Sequence, residues 1–152
     1  MAVLNRTSAG VGVLVVMLIL SFLAIGAPAE GSDKGVVIEL NRLSPVKNAC
    51  RMSLVFTNMM DVPVDALAIE TVLFNKQDSV ERFLVLKSRP LTPKKIRVQQ
   101  FDVAGIPCDG FGKLLLNDVK ECKAANLDPG TCLERITPSS KAGVPFISTI
   151  TN

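Results

Sequence analysis

Four cysteines, Cys50, Cys108, Cys122 and Cys132, are the residues of this 152-residue chain whose type and placement most constrain its chemistry. Their successive separations are 58, 14 and 10 positions. A zinc knuckle needs paired C-x-x-C spacings, which are absent. An even count in an exported chain reads as two disulfides, and the sequence alone leaves three connectivities open. The chain holds no His, Trp or Tyr, and seven Phe are its aromatics. Without histidine there is no Ser-His-Asp or Cys-His catalysis, no His-ligated zinc or copper and no imidazole acid–base work. Without Tyr and Trp the usual aromatic anchors of sugar, nucleic-acid and protein sites are missing.

Other residues are weaker candidates. Lys87, Arg89, Lys94, Lys95 and Arg97 place five cations within eleven residues, with no acid between them. Such a run is either a contact patch for an acidic partner, lipid headgroup or envelope polymer, or a guard over a strand edge. Met59 and Met60 are adjacent and could bind Cu(I) in an oxidising compartment, although a third soft ligand at useful spacing is lacking. Asp102, Asp109, Asp118 and Glu121 could do acid–base work only if folded into one cleft, and their spacing does not force that. Arg51, beside Cys50, reads as an outward strand charge able to hold a carboxylate. Gly-rich phosphate loops, nucleophile elbows and internal repeats are absent. The residues call for no cofactor.

The first thirty residues carry an address. Val11 to Ile25 is an almost unbroken apolar run, preceded by Arg6 and followed by Ala27-Pro28-Ala29. This is the layout of a secretory signal peptide cleaved after Ala29. The alternative is an uncleaved anchor in the inner membrane, since the segment is long enough to span a bilayer. Cleavage would leave residues 30–152 as a single domain. Arg6 is the one charged side chain lost, so the net charge falls from +3 to +2. The positive mean hydropathy, +0.36, comes largely from the leader. A nearly neutral mature domain does not point to nucleic acid.

The mature chain reads as strands. Val36, Ile38 and Leu40 share one face, and Cys50, Met52, Leu54 and Phe56 alternate with Arg51, Ser53 and Thr57. Period-2 alternation is the mark of a half-buried strand. Leu67 to Phe74 is apolar on both faces, as a central strand would be. Asn75 to Asp78 is a hairpin-length turn, from which Ser79 to Leu86 returns. Lys87 to Lys95 reads as a loop, followed by strands over 96–103 and 112–119. The span 119–142 reads as a decorated loop stapled by a disulfide, and Val144 to Thr149 as a final edge strand because of Pro145. About seven short strands without a long helix predict an all-β, immunoglobulin-like antiparallel β-sandwich. In such a sandwich the start of the second strand lies close to the start of the sixth. That topology favours Cys50–Cys108 across the two sheets and leaves Cys122–Cys132 to close the late loop. The chain-entropy model gives about 4 kcal/mol for the longer loop and about 3 kcal/mol for the shorter.

Several blocks in order carry a resemblance: Asn48-Ala49-Cys50-Arg51, Val72-Leu73-Phe74, Arg97-Val98, Gln100-Phe101-Asp102, Gly105-x-Pro107-Cys108, and Gly112 to Val119 with Cys122. Over Val36 to Ile147 the chain resembles a family of exported alphaproteobacterial proteins commonly labelled only by a twin-arginine signal. The run from Val55 to Val103 is also similar to small bacterial immunoglobulin-like modules. The resemblance implies a periplasmic location and a fold, and no chemistry. A twin-arginine signal needs two adjacent arginines, and here Arg6 stands alone, which implies export unfolded with disulfides formed afterwards.

The functional expectation is an exported, periplasmic, non-enzymatic binding module. Its partner would be an envelope protein or anionic envelope component, with membrane contact only through an uncleaved leader. The alternative is a small-ligand or copper carrier using Met59 and Met60. Intact-mass analysis of the exported protein is expected to place Glu30 first and to show four hydrogens lost. Four free thiols or an intact leader would contradict this expectation.

Overall fold

The computed structural model describes residues 35–125 and 127–150. The expected leader, 1–29, and its cleavage site lie outside them.

Eight strands form two four-stranded sheets. They are β1 (Val36–Val46), β2 (Ala49–Asn58), β3 (Val64–Phe74), β4 (Val80–Ser88), β5 (Ile96–Ala104), β6 (Lys113–Ala124), β7 (Ile136–Ser140) and β8 (Phe146–Ser148). The sheet orders are β5-β2-β1-β7 and β4-β3-β6-β8. The molecule is a β-sandwich. The alternation in the sequence sets the inward faces: Cys50, Met52, Leu54 and Phe56 of β2 are fully buried, as are Ile38 and Leu40 of β1. The second sheet answers with Ile69, Leu73, Leu114 and Leu116, all fully buried. β3 lies between β4 and β6, and flanking side chains on both sides leave Ala68 and Val72 buried along with Leu67, Ile69 and Leu73.

β1 to β6 pair antiparallel. The last two strands differ from expectation, because β7 runs parallel to β1 and β8 parallel to β6. Parallel neighbours need long connections, and the late part of the chain supplies them. The expected decorated loop over 119–142 is therefore corrected. Its first quarter continues β6 as far as Ala124, and β3 accommodates the extra length through register shifts. A short helix, α1 (Pro129–Glu134), follows, with Asp128 capping the Thr131 amide at 3.0 Å. β7 then fills the edge beside β1. Its Pro138 is tolerated at an edge position, and only Ile136 of the strand is buried. The expected final strand is present as β8, whose entry is fixed by the Leu114 amide donating to the Pro145 carbonyl at 2.8 Å.

Both favoured disulfides are present, Cys50–Cys108 and Cys122–Cys132. The first joins the start of β2 to the 3-10 turn Cys108–Gly110, on the crossing from β5 to β6. The second ties the end of β6 to α1. Two disulfides fit an oxidising, exported compartment. At the Cys50–Cys108 end, Gly112 passes so close beneath the β3–β4 turn that a Cβ there would collide with the Asn75 carbonyl.

The opposite end is held by a buried amide. Asn58, fully buried, donates from Nδ2 to the carbonyls of Val62 (2.9 Å), Leu91 (3.0 Å) and Thr92 (3.3 Å). Its Oδ1 accepts the Met60 amide at 2.9 Å. The β2–β3 and β4–β5 connections are thus tied to one side chain. Leu91, in the second connection, is fully buried and bridges Val64. Replacing Asn58 by Ala leaves buried polar groups without partners, so Asn58→Ala is expected to destabilise the domain by about 2–4 kcal/mol. Urea unfolding measures this, and a loss below about 0.5 kcal/mol would show that water replaces the amide.

Candidate interaction edge

β4 and β5 are the outer strands of opposite sheets, and both border the same open side of the sandwich. The connection between them carries most of the cationic run. Two side-chain crossings stitch this side. The Arg82 guanidinium donates to the Ala104 carbonyl. Gln99 donates to the Lys87 carbonyl at 3.0 Å and accepts the Arg89 amide at 2.8 Å. Its carboxamide pairs with β4 as a strand residue would, and brings Lys87 and Arg89 beside the middle of β5.

The five predicted cations meet different fates. Lys94, with φ of 59°, pairs with Asp61 at 2.9 Å and donates to the Met59 carbonyl at 2.7 Å. It belongs to the loop anchor. Lys87, Arg89 and Lys95 are exposed, and Arg97 is half-buried on the inward face of β5. These four form no ion pair among the described residues. The Nε of Arg97 is buried without a hydrogen-bond partner. The structure therefore keeps four of the five cations along one edge.

The phase of the β2–β5 ladder determines which backbone groups of β5 are free. The Asn58 amide donates to the Lys95 carbonyl, and the Gly105 amide donates to the Asn48 carbonyl. The register between them is uninterrupted. In an antiparallel pair, alternate residues turn their N–H and C=O toward the partner. Odd-numbered residues of β5 face β2, so Ile96, Val98, Gln100 and Asp102 point their backbone groups away from the sheet. The side chains of Ile96 and Val98 are 63% and 62% exposed on the outer face. The sequence raised a strand edge guarded by the cations, but 96–103 read as an ordinary strand, so the exposed apolar side chains of Ile96 and Val98 were not apparent in it. The signal available was two β-branched residues, Ile96 and Val98, on the face shared with polar Gln100 and Asp102.

The remaining candidates disperse. Arg51 and Asp102 form a bidentate cross-strand pair on the outer face, with Nε–Oδ1 at 2.7 Å and Nη2–Oδ2 at 2.8 Å. Asp118 bonds Lys120 at 2.9 Å and the Val119 amide, and Glu121 pairs with Lys123 at 3.2 Å. Asp109 lines a solvent-open recess of about 650 Å³ at the Cys50–Cys108 end, between 45–49 and 105–109. These carboxylates do not converge as an acid–base pair. The methionine pair is split: Met60 is buried in the core while Met59 is 44% exposed. Consecutive residues at a turn diverge here because the Asn58 side chain holds the Met60 amide inward. Met52 is buried in β2. Among the described residues, no group of three or more His, Cys, Asp or Glu could hold a metal.

Comparison with known proteins adds the fold alone. No family model and no curated protein matches the chain. The structure is similar to that of IrmA from Escherichia coli, with a TM-score of 0.54 and 10% identity, over 68% of this chain and 90% of that one. A partial likeness to a GH20 exo-β-N-acetylglucosaminidase of Vibrio harveyi has a TM-score of 0.37 at 22% identity, over 71% of this chain and 19% of that one.

Four carboxyls sit below their ordinary range. Asp102 is held down by its bond to Arg51, Asp118 by Lys120 and the Val119 amide, Asp128 by Thr131, and Glu39 by Asn41 and Lys141. A carboxyl depressed in the folded state contributes stability above its unfolded pKa, and that stability is lost as pH falls through the depressed value. Stability is therefore expected to decline below about pH 4. Asp102→Asn is expected to be less stable than the parent at about pH 7, and the gap to close by about pH 2. Urea midpoints at the two pH values check this, and a gap that persists at low pH would assign the loss to packing.

Proposed function

We propose that this chain is an exported, periplasmic, non-enzymatic β-sandwich that binds an acidic or anionic component of the cell envelope through the β4–β5 side. The observation that carries the reading is the set of four cations, Lys87, Arg89, Lys95 and Arg97, without an ion pair among the described residues and beside an open strand edge. Elsewhere some outward charges are neutralised in place, as in Arg51–Asp102 and Lys120–Asp118, while others, such as Arg42, Lys47 and Lys76, form no ion pair among the described residues but lie apart in the sequence. Concentrating uncompensated charge on one side raises the local concentration of an oppositely charged partner and speeds encounter. The two disulfides and the sequence of the leader support export. The strand orders β5-β2-β1 and β4-β3-β6 support an immunoglobulin-like assignment of the first six strands. The non-enzymatic reading rests on the dispersal of Asp102, Asp109, Asp118 and Glu121.

In-cell crosslinking and pull-down of the exported protein tests the proposal. A variant with Lys87, Arg89 and Lys95 changed to Gln and Arg97 to Met is expected to lose its crosslinked partner while keeping its unfolding free energy, from urea titration, within about 1 kcal/mol of the parent. Lys94→Gln is expected to keep the partner, because Lys94 is committed to Asp61. An unchanged partner set in the four-site variant would reject this side of the molecule as the contact surface.

A further inference from the structure

We infer that the β5 edge accepts an extended polypeptide segment of alternating acidic and apolar residues as an added strand. This deepens the binding reading above and rests on it. Three observations converge on seven residues, Ile96 to Asp102. First, the ladder phase turns the backbone groups of Ile96, Val98, Gln100 and Asp102 outward. A row of free N–H and C=O groups is what strand addition requires. Second, Ile96 and Val98 are more than 60% exposed and lie beside Thr57 and Val55 of β2, with Val37 and Glu39 of β1 beyond. An added strand would cover both side chains with one of its own faces, since alternate residues share a face. Third, Lys95 stands at the start of the edge, Arg97 is on the inward face, and Gln99 brings Lys87 and Arg89 alongside.

Charge selects the occupant. A basic or neutral segment would leave the four cations unpaired, whereas glutamates or aspartates on its inward-pointing positions would meet them. A second copy of this chain, pairing through its own β5, would bring Lys87, Arg89 and Arg97 of both molecules to one seam. The same cations that discourage self-pairing thus admit an acidic strand. The edge has a defined stop. The Ala104 carbonyl, next outward after Asp102, is occupied by Arg82, and Asp102 is neutralised by Arg51. On the neighbouring β4 edge the Lys87 carbonyl and Arg89 amide are already taken by Gln99.

The experiment uses the purified exported protein and three synthetic peptides, each about seven residues long to match the edge. One alternates glutamate and valine, one alternates lysine and valine, and one carries proline at the centre of the glutamate–valine sequence. The glutamate–valine peptide is expected to bind and to slow amide exchange at Ile96, Val98, Gln100 and Asp102 at least tenfold. The lysine and proline peptides are expected to bind at least tenfold more weakly. Val98→Pro removes an outward N–H without touching the β2 ladder, and is expected to abolish peptide protection. Should that variant fail to fold, Lys87→Glu with Arg89→Glu is expected to weaken the glutamate–valine peptide at least tenfold and to strengthen the lysine peptide. Equal binding of all three peptides, protection elsewhere, or binding to phosphatidylglycerol vesicles without edge protection would each overturn strand addition. The two readings separate. A crosslinked partner lost in the four-site variant, with no peptide protection at the edge, leaves the contact surface standing and rejects strand addition. Edge protection by the acidic peptide with an unchanged cellular partner set does the reverse.

Discussion

The Asn58 side chain is buried at the far end of β2, and most of the arrangement around the β4–β5 side depends on where it reaches. A fully buried amide is costly unless its donors and acceptor are satisfied. Here three carbonyls and one amide satisfy it, and they come from two connections whose contributing residues are 29 or more positions apart along the chain. The β2–β3 connection is pinned through Met60 and Val62, and the β4–β5 connection through Leu91 and Thr92. Once the second connection is pinned, Leu91 enters the core, Lys94 reaches Asp61, and β5 begins beside β2. The cationic residues flanking it are then placed along one edge.

The two ends of the sandwich are closed by different means. At the β2 start, the Cys50–Cys108 disulfide fastens β2 covalently to the crossing from β5 to β6. At the β2 end, a polar side chain does the equivalent work by hydrogen bonds, and Cys122–Cys132 fastens α1 to β6 nearby. The long sides are unequal too. On one side β7 and β8 lie near each other, built from the crossing chain. On the other, β4 and β5 are joined by the Arg82 and Gln99 side chains, so a strand edge stays available. A closed core with an exposed strand edge at β5 suits a module that recognises partners through backbone pairing and lets side chains choose among them.

Much of the architecture was legible because it follows from periodicity. Alternation in β1 and β2 and the two-faced apolar run of β3 each report burial directly. The disulfide pairing followed once those strands were set in a sandwich. The span 119–142 was misread because its apolar content is too sparse to show a period. β7 has one buried side chain, Ile136, and derives its place from pairing with β1 rather than from its own pattern. Residues such as Asn58 were equally opaque, since an asparagine after a strand is usually a turn residue in solvent. Only the convergence of distant carbonyls makes it a structural centre.

For the candidate site, the sequence determined the inventory: cations gathered between 87 and 97, carboxylates spread thin, and no imidazole for catalysis. Tertiary structure decided what the inventory amounts to. Lys94 and the other four cations look alike in sequence, but one is neutralised by Asp61 and four are left beside β5. Met59 and Met60 are adjacent in sequence, yet one faces the core and the other solvent. The freedom of the β5 backbone is a matter of which neighbour lies on either side. A linear pattern records each side chain's own preference for water or core, and it does not record which partners remain after distant strands have paired.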